Sequence, residues 1–315
     1  MLNISFPEYL LDQLLPVREQ LVADKVASRI SNKDFTLWGK AAESESAIRL
    51  GWVNSASDTL HLIAEISTLH KDLVAKGITR IVLCGMGGSS LAPEVITKTA
   101  KLPLVVLDST DPAQVQKAVS EDLVHTAVVV SSKSGSTVET DSQKRLFEKA
   151  FTDAGIEKTE RIFIVTDPGS PMEAAAKADG YRVFNADPNV GGRYSALTAF
   201  GMVPSGLAGV NIVELLEQAQ EAAEYLSEDD IDNEAIILGA AMARTKSQAG
   251  FKDKLGLISD SATLPDFADW AEQLIAESTG KDQKGILPVV LGEQSHETIE
   301  PSDDILLIAV SSSEE

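Results

Sequence analysis

Between residues 78 and 187, five short apolar runs alternate with stretches of helical spacing. The runs are ITRIVLC (78–84), LPLVVLD (102–108), TAVVVSS (126–132), RIFIVTD (161–167) and YRVFNAD (181–187). Rich in valine and isoleucine and apolar almost throughout, they suit strands buried on both faces of a parallel sheet. Residues 113–121, 138–154 and 171–178 read as the helices between them. Such alternation implies a doubly wound α/β layer, a three-layer α-β-α sandwich around a parallel sheet. Ligands of open parallel sheets sit at the carboxyl ends of the strands, so function is expected in the loops after the runs.

The flanks follow other patterns. Residues 1–75 read as a helical N-terminal segment: Leu10, Leu14, Val17, Leu21 and Val26 recur at roughly helical spacing, and DTLHLIAEISTLHKDLVAKG repeats the pattern up to Gly77. Residues 76–210 form the α/β domain. Residues 211–315 begin with two helical stretches, 211–227 and 233–250. The alternation then restarts with a strand at 254–259, a helix at 264–279 and strands at 285–291 and 304–310. Three strands make a poor independent parallel sheet, so this last segment reads as the truncated start of a second α/β domain.

Charge removes several function classes. With 27 Lys and Arg against 48 Asp and Glu, the formal charge of −21 repels nucleic acid and anionic membranes. No apolar run approaches the ~20 residues of a membrane helix, and MLNISFPEYL has none of the parts of a signal peptide. Cys84, the single cysteine, has no partner for a disulfide, which points to a reducing cytoplasm. An anionic metabolite would be repelled too, unless local cations and backbone N–H groups gather at its site.

Three loops offer that. In CGMGGSSLAPEV (84–95), Gly85, Gly87 and Gly88 permit close backbone approach and Ser89 and Ser90 add hydroxyls ahead of a helix. Taken alone, this loop fits a sugar or phosphate ligand, a dinucleotide fingerprint whose third glycine is Ser90, or a tight turn with no ligand. In SSKSGSTVET (131–140), Lys133 stands among small hydroxyl residues, and Ser136 with Glu139 forms a capping-box pattern that starts a helix near Thr137. The hydroxyls of Ser132, Ser134 and Thr137 with the first N–H groups of that helix suit a phosphate, and Lys133 would add a charge. In NVGGRYSALTAFG (189–201), Gly191 and Gly192 deliver Arg193, a cation that cannot act as a base; pairing with a surface carboxylate is its commoner fate. Finally, PDFADWAEQLIAESTGK (265–281) reads as a helix with Phe267, Trp270, Ala271, Leu274 and Ile275 inward, Gln273 and Glu277 sharing a face and Gly280 as its stop. Glu277 would sit at the negative end of the helix dipole, a setting that suits a proton acceptor.

Together these segments resemble the glucose-6-phosphate isomerase family. The family has a glycine loop like GMGGSSLAPEV, a phosphate loop S-K-x-x-x-T-x-E-T matched by residues 132–140, a GGRYS loop and a helix ending E-S-x-G-K matched by residues 277–281. ADKVASRISNKDFTLWG and ESAIRLGWVN look like the isomerase half of the bifunctional transaldolase/glucose-6-phosphate isomerases. The resemblance implies a sugar isomerase fold and a cytoplasmic, cofactor-free and metal-independent isomerase of glycolysis and gluconeogenesis. It also implies a homodimer, with a transaldolase adjacent or fused. Ser132, Lys133, Ser134 (a threonine in longer relatives) and Thr137 would hold the phosphate, and Gly87, Gly88, Ser89 and Gln273 would contact the sugar. Arg193 would stabilise an enediolate, and Glu277 would move the proton. The family's ring-opening histidine and C-terminal lysine have no matching motif here. His61, His70 and His125 read as structural, and His296 lies in an unrelated context. A dual phosphoglucose/phosphomannose isomerase and a non-catalytic sugar-phosphate-binding module are the alternatives, ahead of an NAD-dependent enzyme.

Overall fold

A computed structural model describes residues 5–248, 250–281, 284–292 and 294–311. The chain forms two compact units, Asn54–Leu216, and Met1–Val53 together with Glu217–Glu315. The helical stretch 1–75 is therefore divided between them.

Asn54–Leu216 is built on a parallel sheet of five strands: β1 (Arg80–Cys84), β2 (Val105–Leu107), β3 (Thr126–Ser131), β4 (Ile162–Thr166) and β5 (Arg182–Asn185), in the order β2-β1-β3-β4-β5. Each strand lies within its apolar run. Registers such as Val82 beside Val105 and Val128 align the strands, and every residue of β3 is buried. On one face Phe147 and Phe151 from the Val138–Asp153 helix, Ala118 from Pro112–Ser120 and Met172 and Ala176 from Pro171–Ala178 pack on Val82, Val128, Val130, Ile162 and Ile164. The other face is covered by the Ala199–Leu207 helix, all nine residues of which are buried. Both faces are thus filled, which is why the strands carry no alternation. Cys84 is wholly enclosed, and burial pushes its thiol far above the usual range, so it is no nucleophile.

The order reverses between β1 and β3. From β1 the chain steps outward to β2, then returns past β1 to β3 and continues to β5. The carboxyl ends of β1 and β3 therefore flank the topological switch point, where ligands of this architecture bind. The glycine loop follows β1 and the lysine loop follows β3.

In the other unit, the Glu8–Ala23 helix packs on Glu234–Arg244 through Leu10, Leu14, Ala240 and Ala241. Arg18, buried in this contact, donates to the Ile231 carbonyl and pairs with Asp232 at 3.0 Å. Lys25, at φ +55°, breaks the first helical run and a second helix starts at Val26. The helix expected to reach residue 250 ends at Arg244; Lys246–Ser247 (β6) and Gly250–Phe251 (β7) pair antiparallel, with residue 249 outside the described positions. β8 (Lys254–Ser259), β9 (Leu287–Val290) and β10 (Ile305–Val310) form a parallel sheet in the order β10-β8-β9. Phe267–Ser278 covers one face, joining Ala268, Ala271, Trp270 and Ile275 to Leu255, Leu257, Leu306 and Ile308. Among the described residues, no helix is long and apolar enough to cross a membrane.

Candidate functional site

The glycine loop is a tight turn held at both ends. Gly87 takes φ +54°, and Ser90, fully buried, donates from its backbone N and from Oγ to the Gly87 carbonyl. A Cβ on Gly88 would stand 2.6 Å from the Gly192 carbonyl carbon and oxygen, so only glycine lets the Arg193 loop approach this closely. Ser195 secures the contact, its hydroxyl reaching the Gly88 carbonyl at 3.1 Å and the Gly192 carbonyl at 2.6 Å. The loop after β5, an edge strand, thus returns across the sheet to the turn after β1 and brings Arg193 with it. There the guanidinium stacks over the Tyr194 ring, 4.9 Å from its centroid.

The second loop folds around its hydroxyls. Ser132 is buried, anchored by its N–H on the Val165 carbonyl and by Thr166 donating to its own carbonyl at 2.7 Å. Its Oγ donates to Thr137 Oγ1 at 3.1 Å and accepts from Gly135 N at 3.2 Å. Gly135 sits at φ +66° with a would-be Cβ 2.8 Å from Met172, so conformation and space both demand glycine. Thr137 is the N-cap of Val138–Asp153, as the sequence suggests, but the capping box does not form. Ser136 Oγ instead donates to Ser134 Oγ at 3.0 Å, and no side chain caps the helix. Hydroxyls and the positive end of a helix are thereby collected beside the switch point, an arrangement suited to an anion. The Lys133 ammonium is engaged by Asp167, the residue after β4, and lies 3.5 Å from the Pro188 carbonyl.

Gln273 and Glu277 belong to the other unit. They share a helix face, with Gln273 Nε2 donating to Glu277 Oε1 at 3.0 Å. Glu277 is exposed in the last turn, and the helix stops at Gly280 at φ +68°. Lys281 Nζ donates back to the Glu277 carbonyl at 3.1 Å. Thus Gly87, Gly88, Ser89 and Arg193 are brought together by one contact, Ser132, Ser134 and Thr137 by a second loop of the same unit, and Gln273 with Glu277 by their helix. The histidines hold structural contacts: His61 with the nearby Asp58 carbonyl, His125 with Asp122 and His70 with the sequence-distant Leu207 carbonyl, while His296 lies 4.0 Å from Glu300.

Two residues of this site escape sequence reasoning. Ser195 acts across 107 positions, which no local pattern reveals. Asp167 ends the run RIFIVTD, and a carboxylate at the carboxyl end of a buried parallel strand is itself a readable signal.

A profile of the phosphoglucose isomerase family matches residues 50–289. The chain belongs to this family. The probable glucose-6-phosphate isomerase of Haloarcula marismortui is 36% identical over 212 residues, covering 66% of this chain and 48% of that protein. Among solved structures, a hypothetical protein of Thermus thermophilus superposes with a TM-score of 0.75 at 25% identity, over 96% of this chain and 72% of its own. A glucose-6-phosphate isomerase from Chlamydia trachomatis gives 0.72 at 21% identity, covering 96% and 66%, a likeness of fold. The α-β-α sugar isomerase architecture is thereby established. The chain spans about half the length of the curated relatives it matches.

Proposed function

We propose that this chain is a glucose-6-phosphate isomerase, interconverting glucose 6-phosphate and fructose 6-phosphate by proton transfer through an enediolate. The observation that carries the reading is the locked contact of Gly88, Gly192 and Ser195. It sets the glycine turn and Arg193 together in the unit that holds the hydroxyl loop at the switch point. A sugar phosphate needs such a division: a remote grip on the phosphate whose binding energy positions the carbons, and a fixed cation near the oxygens that become charged.

The phosphate is held by the hydroxyls of Ser132, Ser134 and Thr137 and the first N–H groups of the Val138 helix, with Lys133 in the same loop. Gly87, Gly88 and Ser89 line the sugar. Glu277 removes the proton at C2 of glucose 6-phosphate, leaving an enediolate whose negative charge Arg193 stabilises; the hydroxyl proton passes from O2 to O1, and Glu277, whose proton exchanges with solvent, delivers one to C1 to give the ketose. Gln273 orients the Glu277 carboxylate through their hydrogen bond and contacts the sugar. The same reading places the protein in the cytoplasm as a homodimer, with a transaldolase adjacent or fused.

Conversion of fructose 6-phosphate by the purified chain tests the assignment. Glu277→Gln keeps the shape of the side chain and removes the base, so turnover is expected to fall by ~10²–10⁴ with little change in binding. Binding of fructose 6-phosphate without turnover in the parent chain would leave only a sugar-phosphate-binding module.

A further inference from the structure

Lys133 is the residue that a phosphate loop would be expected to turn onto its ligand, yet its ammonium is already committed. It pairs with the Asp167 carboxylate, the two side chains being 25% and 16% exposed, and lies within reach of the Pro188 carbonyl. These residues come from three successive loops, after β3, β4 and β5. Pro188 belongs to the segment that crosses back over the sheet to deliver Arg193. An ammonium in contact with a carboxylate offers a phosphate dianion little net attraction, because the carboxylate repels what the ammonium attracts. Meanwhile neutral donors are gathered elsewhere in the same loop, in Ser132, Ser134, Thr137 and the open helix terminus.

We propose that Lys133 and Asp167 form a positioning pair that ties the phosphate loop to the crossing segment, while the phosphate itself is held by neutral donors. This rests on the phosphate reading of residues 132–137. Asp167 acts only through Lys133, and Lys133 acts on the ligand only through the loops it holds. Removing either partner leaves a charge in a mostly buried place and frees both loops, so the two substitutions should do the same harm. A lysine in direct contact with phosphate predicts the opposite pattern. Loss of the lysine would then weaken binding, whereas neutralising Asp167 would release a cation to the ligand and tighten it.

The test is calorimetric titration of the full chain with inorganic phosphate and with fructose 6-phosphate, for the parent, Lys133→Met, Asp167→Asn, the double variant and Lys133→Arg. Thermal unfolding of each variant is checked alongside. Both single variants are expected to lose ~10-fold in affinity, with the double variant no weaker than either single one. Lys133→Arg, which keeps the pair, should retain most of the parent's affinity. Where the parent turns over, both single variants should raise KM and also lower kcat, since the loop carrying Arg193 is loosened. A measurement on the parent alone avoids variants that fail to fold: binding to neutral donors should change little between about 0.05 and 0.5 M salt, whereas a direct cation contact is screened and weakens. Tighter binding by Asp167→Asn, unaltered binding by both single variants, or a steep salt dependence would overturn the positioning role while leaving the phosphate site standing. A folded parent that binds neither probe would remove the phosphate reading and this proposal with it.

Discussion

The two parallel sheets of this molecule are written in the same alphabet of Val, Ile and Leu, yet they are packed differently. In Asn54–Leu216 the central strands β1, β3 and β4 are buried almost to the last atom. In the three-stranded sheet, Leu287 is 59% and Val289 39% exposed on β9, although their run GILPVVL reads as apolar as any other. The difference lies in what covers the strands. Among the described residues, three helices on one face and Ala199–Leu207 on the other close the first sheet, whereas Phe267–Ser278 covers one face of the second. The candidate site residues follow the same division. The loops of the five-stranded unit are locked by backbone approach and buried hydroxyls; Glu277 stands on an exposed helix end with Gln273 as a neighbour. Apolar runs therefore report strands, and burial depends on the partners that other parts of the chain supply.

Cavity formation gives the largest contrast between the sheets. Phe147→Ala, in the closed core, should cost ~3–5 kcal/mol, whereas Leu287→Ala should stay within about 0.5 kcal/mol. Denaturant unfolding of the two variants measures both, and equal losses would break the comparison. Loops come next. Gly88→Ala forces the Arg193 loop away and should cost ~1–3 kcal/mol, together with most sugar-phosphate affinity. Gly280→Ala meets nothing closer than 3.7 Å and carries only the strain of its positive φ, about 1 kcal/mol, with folding of the other unit unaffected. Amide exchange, read separately for the two units, distinguishes these outcomes.

The smallest effect is acid sensitivity, and here the units should match. Glu173 is held down to about 2 by the hydrogen bond from Lys177, then by the Gly169 N–H. Asp304 in the other unit is held down to about 2 by hydrogen bonds from Lys254 and then Ser302. Both carboxyls lie below their ordinary values of 4.5 and 3.8, so each favours the folded state above those values and loses that contribution as pH falls toward about 2. Glu173→Gln and Asp304→Asn should each flatten the acid side of the stability profile. A profile unchanged by both would contradict the pairing.

Much of this was legible in the residues. The Val- and Ile-rich runs locate all five strands of the first sheet, and Thr137 marks the start of its helix, because burial on both faces and helix entry are local demands. The capping box between Ser136 and Glu139 does not form because the N-cap falls one residue later, at Thr137, and Ser136 Oγ bonds Ser134. What stayed hidden is long-range. The first helix reads as part of an N-terminal helical segment, but Leu10 and Leu14 pack on Ala240 and Ala241. Ser195 and Asp167 act on loops 34 or more positions away. Periodicity says which face is apolar, not which distant element covers it.

The central claim is proton transfer by Glu277 on a phosphate-anchored sugar, and conversion of fructose 6-phosphate in D₂O, followed by proton NMR, tests it directly. Glucose 6-phosphate with solvent deuterium at C2 is expected from the parent chain, its formation slowed at least ~100-fold in Glu277→Gln. Conversion that proceeds with no exchange and survives the substitution would contradict it.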